Sequence, residues 1–127
     1  MFYRILVTDD NSEYRQSIIE LLQLEGFDVI EAPNGKQALE LTRTQKPDLI
    51  LCDVDMPGMD GFTVLAEVKA DPATNHIPFF LVTGRTDAES LRLGNTLGAD
   101  DYLLKPMNID VLLMKIEQYL PKGKQTE

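Results

Sequence analysis

The sequence predicts an α/β fold, a doubly wound, five-stranded parallel sheet built from a (βα)5 chain of units with helices on both faces. Short apolar runs alternate five times with segments of helical periodicity. Two of these runs, residues 49–52 and 78–82, are almost uninterruptedly apolar, the pattern of strands covered on both faces by helices. No linker, repeat or low-complexity stretch divides the 127 residues, a length that suits one domain. Strand, crossover helix and parallel strand in regular succession then give the doubly wound arrangement.

Each element has its own local reason. Residues 3–8 read as the first strand. Asn11 or Ser12 caps a helix that places Tyr14, Ile18, Leu21 and Leu22 on one face and stops at Gly26. A short strand follows at residues 27–31, and the turn Ala32-Pro33-Asn34-Gly35 leads to a helix over about 36–45. Pro47 closes that helix, because the residue before a proline avoids helical geometry. The third strand, 49–52, opens into a loop, 53–60, and then a helix from Gly61 to about Ala70 that buries Phe62, Leu65 and Ala66. The fourth strand, 78–82, precedes a weaker helix over about 87–97. Gly98 makes the next turn and 101–104 is the fifth strand. The last helix, 108–120, aligns Ile109, Leu112, Leu113, Ile116 and Leu120 and ends before Pro121. Residues 1–120 form the domain; 121–127 read as a C-terminal tail or the start of a linker.

Composition narrows the function. Twelve Lys+Arg against 21 Asp+Glu give a net charge of −9. Such a chain lacks the basic footprint that phosphate-backbone binding needs, so no direct nucleic-acid partner is expected. A hydrophobic fraction of 43% is too high for a disordered chain. The single cysteine, Cys52, lies in an apolar run and reads as a small buried hydrophobe, with neither disulfide nor structural zinc. No apolar stretch approaches the ~20 residues of a membrane span, and the apolar N-terminus meets Asp9-Asp10 too soon for a signal peptide. A cytoplasmic location without membrane association is expected.

In a doubly wound sheet the reactive crevice lies beyond the carboxyl ends of the strands. Asp9 and Asp10 follow the first strand, Asp53 the third, Thr83 the fourth and Lys105 the fifth. Clustered carboxylates repel one another unless a cation relieves them. With oxygen ligands and no nearby His or Cys, Mg2+ or Mn2+ suits the cluster better than zinc. Taken singly, each residue has a bland reading: an Asp-Asp pair and Asp60 before Gly61 can be helix caps, and Tyr102 a strand aromatic. Capping accounts for neither Lys105 nor an aspartate ending an apolar strand.

Four segments, each at a strand end, carry a resemblance: Ile5-Leu6-Val7-Thr8-Asp9-Asp10; residues 47–61, with Asp53-Val54-Asp55-Met56-Pro57 and Asp60-Gly61; Val82-Thr83-Gly84; and residues 98–106, ending Tyr102-Leu103-Leu104-Lys105-Pro106. Over about residues 3–120 the chain resembles the receiver domain of two-component response regulators, the family of the single-domain chemotaxis regulator. The resemblance implies a flavodoxin-like strand order 2-1-3-4-5. It implies that Asp53 is the phosphoacceptor, accepting from a sensor histidine kinase or phosphotransfer protein. Asp10 and Asp53 match the metal-ligating carboxylates, Asp9 acts through a water, and the Asp55 backbone carbonyl completes the protein's share of a Mg2+ (or Mn2+) site. Thr83 and Lys105 match the groups that contact the phosphoryl oxygens. Thr83 and Tyr102 match the switch pair, and Lys105-Pro106 a cis peptide. Asp55 and Arg85 stand where the family tunes hydrolysis of the phosphoryl group, and a pairing between them across the mouth is expected.

The implied function is a signalling switch that catalyses its own phosphorylation and dephosphorylation and then binds an output domain or target protein, with phosphorylation-dependent dimerisation left open. Two other readings stand beside it. One is a phosphorylation-independent interaction scaffold. The other is a haloacid-dehalogenase-like phosphatase, which Asp53-Val54-Asp55 fits superficially, although it leaves Asp9-Asp10 without a role.

Overall fold

The computed structural model describes residues 2–121. Of the tail read at 121–127, residues 122–127 lie outside the described residues. Ten elements alternate along the chain: β1 (Arg4–Thr8), α1 (Ser12–Leu24), β2 (Asp28–Ala32), α2 (Gly35–Gln45), β3 (Leu49–Asp53), α3 (Gly61–Ala70), β4 (Phe79–Thr83), α4 (Ala88–Leu97), β5 (Asp101–Leu104) and α5 (Ile109–Tyr119). The strands form one parallel sheet in the order β2-β1-β3-β4-β5.

Two apolar layers fill the two faces. Leu6, Ile50, Cys52, Phe79 and Leu81 face α2 and α3 through Ala38, Leu39, Val64, Leu65 and Val68. Ile5, Val7, Leu49, Leu51, Phe80 and Val82 face α1 and α5 through Ile18, Ile19, Leu22, Leu112 and Ile116. Every residue of β3 and β4 is buried, which is why those two runs carry no polar alternation. Phe80 meets Tyr119 edge to face, with ring centroids 5.3 Å apart. Cys52 is fully buried, and burial pushes its thiol pKa far up, so it behaves as a small hydrophobe.

The helix starts follow the side-chain chemistry. Asn11, Asn34, Asp60, Asp87 and Asn108 each accept a hydrogen bond from a backbone N–H of the first turn. The cap of α1 is therefore Asn11 and not Ser12. Two apolar assignments change. Leu21 is exposed, and Ile19 takes its place on the buried face with Ile18 and Leu22. On α3, Ala66 is only half-buried, while Val64 and Val68 are fully inside. In both helices the face turned to the sheet is rotated from the stripe that periodicity alone suggests, because the docking of each helix on its strands selects which side is covered.

The chain crosses from β1 to β2 on one side and continues from β2 past β1 to β3 on the other. The loops after β1 and β3 therefore diverge and leave a crevice at their carboxyl ends.

Candidate functional site

Asp53 is the last residue of β3 and Thr83 the last of β4, while Asp9 directly follows β1 and Lys105 directly follows β5. Parallel strands bring all four to one rim, although Asp9 and Lys105 are 96 residues apart in sequence. Asp9 is 3% exposed and Asp53 5%, whereas Asp10 is open to solvent. Each of the three offers a carboxylate oxygen, and these oxygens lie within 4.8 Å of one another. The Lys105 ammonium reaches Asp9 Oδ2 at 2.9 Å and Asp53 Oδ1 at 3.3 Å.

One ammonium does not balance three converging carboxylates. Burial, followed by the charge of Asp9, raises the pKa of Asp53 to about 6, with Lys105 pulling it down. Burial pulls the pKa of Lys105 down in turn, but Asp9 and Asp53 outweigh it and hold the value above the ordinary lysine range. An all-oxygen, part-buried, electron-rich set of this kind fits a hard divalent cation. A buried imidazole or thiol is absent from the three-residue group, as Mg2+ or Mn2+ coordination favours.

The loop that carries Asp9 and Asp10 is tied down. The Asn11 N–H donates to Asp9 Oδ1 at 2.9 Å, and Arg15 donates from Nη1 to the Asp9 carbonyl at 2.6 Å and from Nε to Glu31 at 2.7 Å. Arg15 thus links the β1–α1 loop to β2. On the other side, the Tyr14 ring centroid lies 4.5 Å from the Lys105 ammonium. Tyr14 was legible only as part of the apolar face of α1, and nothing in the periodicity singled out Arg15.

The Asp55 carboxylate is not part of the three-carboxylate group. Arg85 Nε donates to its Oδ1 at 3.0 Å, and this partnership holds the Asp55 carboxyl below the usual carboxylate range. Thr83, fully buried, donates its hydroxyl to Asp55 Oδ2 at 3.4 Å and accepts from the Arg85 N–H at 3.1 Å. Tyr102 donates its hydroxyl to the Arg85 carbonyl at 3.4 Å. A continuous set of polar contacts therefore runs from the loop after β3, through the end of β4, to β5. A Cβ added at Gly84 would meet nothing within 4 Å, so this rim is open. The Lys105-Pro106 peptide bond is cis. His76 is exposed, away from this set.

Residues 5–117 match the family model described as the response regulator receiver domain. The chain belongs to the response regulator receiver family. The receiver is 35% identical to protein PilH of Pseudomonas aeruginosa over 117 residues, which cover 92% of this chain and 97% of that protein. It is 37% identical over 123 residues to the DNA-binding response regulator MtrA of Mycobacterium tuberculosis, covering 97% of this chain and 53% of that protein. The receiver thus spans about half the length of its MtrA relatives. Among solved structures, chemotaxis protein CheY4 of Vibrio cholerae superposes with a TM-score of 0.88 at 30% identity, over 94% of this chain and 99% of that one. The flavodoxin-like order 2-1-3-4-5 is thereby shown twice, by the sheet itself and by its structural relatives. The receiver is a signalling domain of two-component systems. No helix among the described residues is long and apolar enough to cross a membrane.

Proposed function

We propose that this receiver takes a phosphoryl group from a histidine kinase or phosphotransfer protein onto Asp53 and relays that event to a partner. The observation that carries the reading is the placement of a nearly buried Asp53 carboxylate between two further carboxylates and the Lys105 ammonium. A carboxylate oxygen attacks phosphorus, the P–N bond to the donor imidazole breaks, and the imidazole leaves with the bonding electrons. The product is an acyl phosphate on Asp53.

Asp10, Asp53 and the Asp55 backbone carbonyl are the groups we assign to a Mg2+ or Mn2+ ion, with Asp9 acting through a water. A cation held by these groups would offset charge on the transferring phosphoryl oxygens. Lys105 supplies the second positive charge and orients the acceptor. Thr83 donates its hydroxyl to a phosphoryl oxygen once it releases Asp55. That release loosens the contacts through Arg85 to Tyr102, which then moves with the β4–α4 loop, so a local electrostatic change biases a two-state element. We assign this activity to the cytoplasm, with an output domain or target protein as the responding partner.

Intact mass after incubation with acetyl phosphate tests the reading. The wild-type chain is expected to gain one phosphoryl group with Mg2+ and none with a chelator. Mass unchanged under both conditions, together with no binding of beryllofluoride, would favour a phosphorylation-independent scaffold.

The pair at the mouth has its own consequence. Asp55 and Arg85 are half exposed, so their ion pair contributes little to folding. We assign to it a second role, restricting the water that attacks the acyl phosphate. Replacing both with alanine is expected to shorten the lifetime of the phosphorylated form severalfold while leaving the urea midpoint unchanged. The decay of the mass adduct after removal of donor measures it, and an unaltered lifetime removes the pair from this role.

A further inference from the structure

We infer that Tyr14 is a positioning residue for Lys105, holding its ammonium within reach of Asp53 by the face of its aromatic ring. The inference rests on the phosphoacceptor reading above and assigns a residue that reading does not use. Tyr14 lies in the first turn of α1 and is half-buried against the layer that includes Met107, Val82 and Ile18. The Lys105 ammonium is 4.5 Å from its ring centroid, well within the range of a cation–π contact. The lysine side chain is 26% exposed, so this contact is partly desolvated.

The other two partners of Lys105, at 2.9 and 3.3 Å, are the carboxylates of Asp9 and Asp53. Both belong to the cluster suited to a divalent cation, which competes for them with the ammonium. The ring has no charge for such an ion to take over, and its contact with Lys105 survives when the carboxylates are engaged elsewhere. It therefore confines the lysine on the acceptor side instead of leaving a long, flexible side chain to sample solvent. The Tyr14 hydroxyl is buried beside the Met107 backbone N–H without a well-formed hydrogen bond, so removing the hydroxyl and removing the ring are separable changes.

The test compares Tyr14→Phe, which keeps the ring, with Tyr14→Leu, which keeps only apolar volume. For each, the rate of phosphoryl uptake from acetyl phosphate is followed by intact mass, Mg2+ affinity by calorimetry, and folding by urea denaturation. Tyr14→Phe is expected to match the wild type. Tyr14→Leu is expected to take up the phosphoryl group roughly three- to tenfold more slowly, with Mg2+ affinity unchanged. Wild-type uptake by Tyr14→Leu, equal slowing of Tyr14→Phe, or a parallel fall in Mg2+ affinity would each overturn the inference while leaving the phosphoacceptor reading intact. Absence of an adduct on the wild type would instead overturn the reading on which it rests.

Discussion

Asp53→Asn will take up no phosphoryl group from acetyl phosphate in the presence of Mg2+, and the metal-free variant will be more stable than the wild type at neutral pH. The first result follows from chemistry. An amide oxygen carries no formal charge and is a poor nucleophile toward phosphorus, and the remaining cluster carboxylates do not end the central strand as Asp53 does. An adduct that persists on Asp53→Asn would move the acceptor to another of the clustered acids, which peptide mapping would identify.

The second result follows from the electrostatics of the same carboxylate. Burial and the neighbouring Asp9 raise its pKa from 3.8 to about 6. The folded metal-free chain then binds this proton more tightly than the unfolded chain does. The ionised group accordingly costs stability that is fully felt above about pH 6 and is relieved as pH falls toward 4. Asparagine removes that cost, by on the order of 2 kcal/mol at pH 7, and the difference from wild type should shrink as the pH is lowered to 4. Urea midpoints of both proteins across that range, with chelator present, measure it. A gap independent of pH would assign the stabilisation to something other than the charge.

Gly61→Ala will unfold the chain more readily than any other single methyl addition at a glycine near this rim. Gly61 opens α3 directly against the end of β3, and its N–H donates to the Val54 carbonyl at 2.8 Å. A Cβ there would collide with the Asp53 carbonyl oxygen and stand 2.9 Å from Val54 Cα. These are backbone atoms at the end of a fully buried strand, tied to β4 through the Asp53–Val82 pairing and the Val54 N–H to Val82 carbonyl bond, so neither can give way cheaply. Relief requires α3 to lift from the sheet or the Asp53 peptide to turn, and a loss of about 3 kcal/mol is expected. The Asp53–Asp55 segment carries the acceptor, so Mg2+ affinity should fall as well. Gly84→Ala is the control: the added methyl meets nothing within 4 Å, and the urea midpoint should stay put or rise slightly. Equal behaviour of the two variants would contradict the close approach of α3 to β3.

The two variants address separate levels of the molecule. Asp53→Asn keeps the backbone and removes one charge, so it separates chemistry from architecture. Gly61→Ala keeps every charge and disturbs the seat on which the acceptor rests.

Much of this protein was legible in its sequence. The five apolar runs and the helical periods between them determined the number, order and type of elements, because burial on a two-sided sheet leaves a pattern in each segment taken alone. The identities at the strand ends, Asp9, Asp10, Asp53, Thr83 and Lys105, could be read for the same reason: once the strands are parallel, their carboxyl ends share a rim. Helix caps were legible to within a residue. Asn11 displaced Ser12 only because the side-chain carbonyl of Asn11 meets the Tyr14 N–H.

What local pattern could not decide are the relations among residues distant in the chain. The exposure of Leu21 depends on how α1 lies beside its neighbours and not on its own period. The clamp from Arg15 to Glu31 and the Asp9 carbonyl, and the placement of the Tyr14 ring beside Lys105, join segments with no shared sequence signal. The lack of room for a Cβ at Gly61 against the Asp53 carbonyl is likewise set by the docking of a helix onto a strand. The sequence by itself determined which groups are available and to which end of the sheet they belong. Only the tertiary structure decided which of them touch and how deeply each is buried, because contact distance and desolvation are properties of packed elements and not of any single segment.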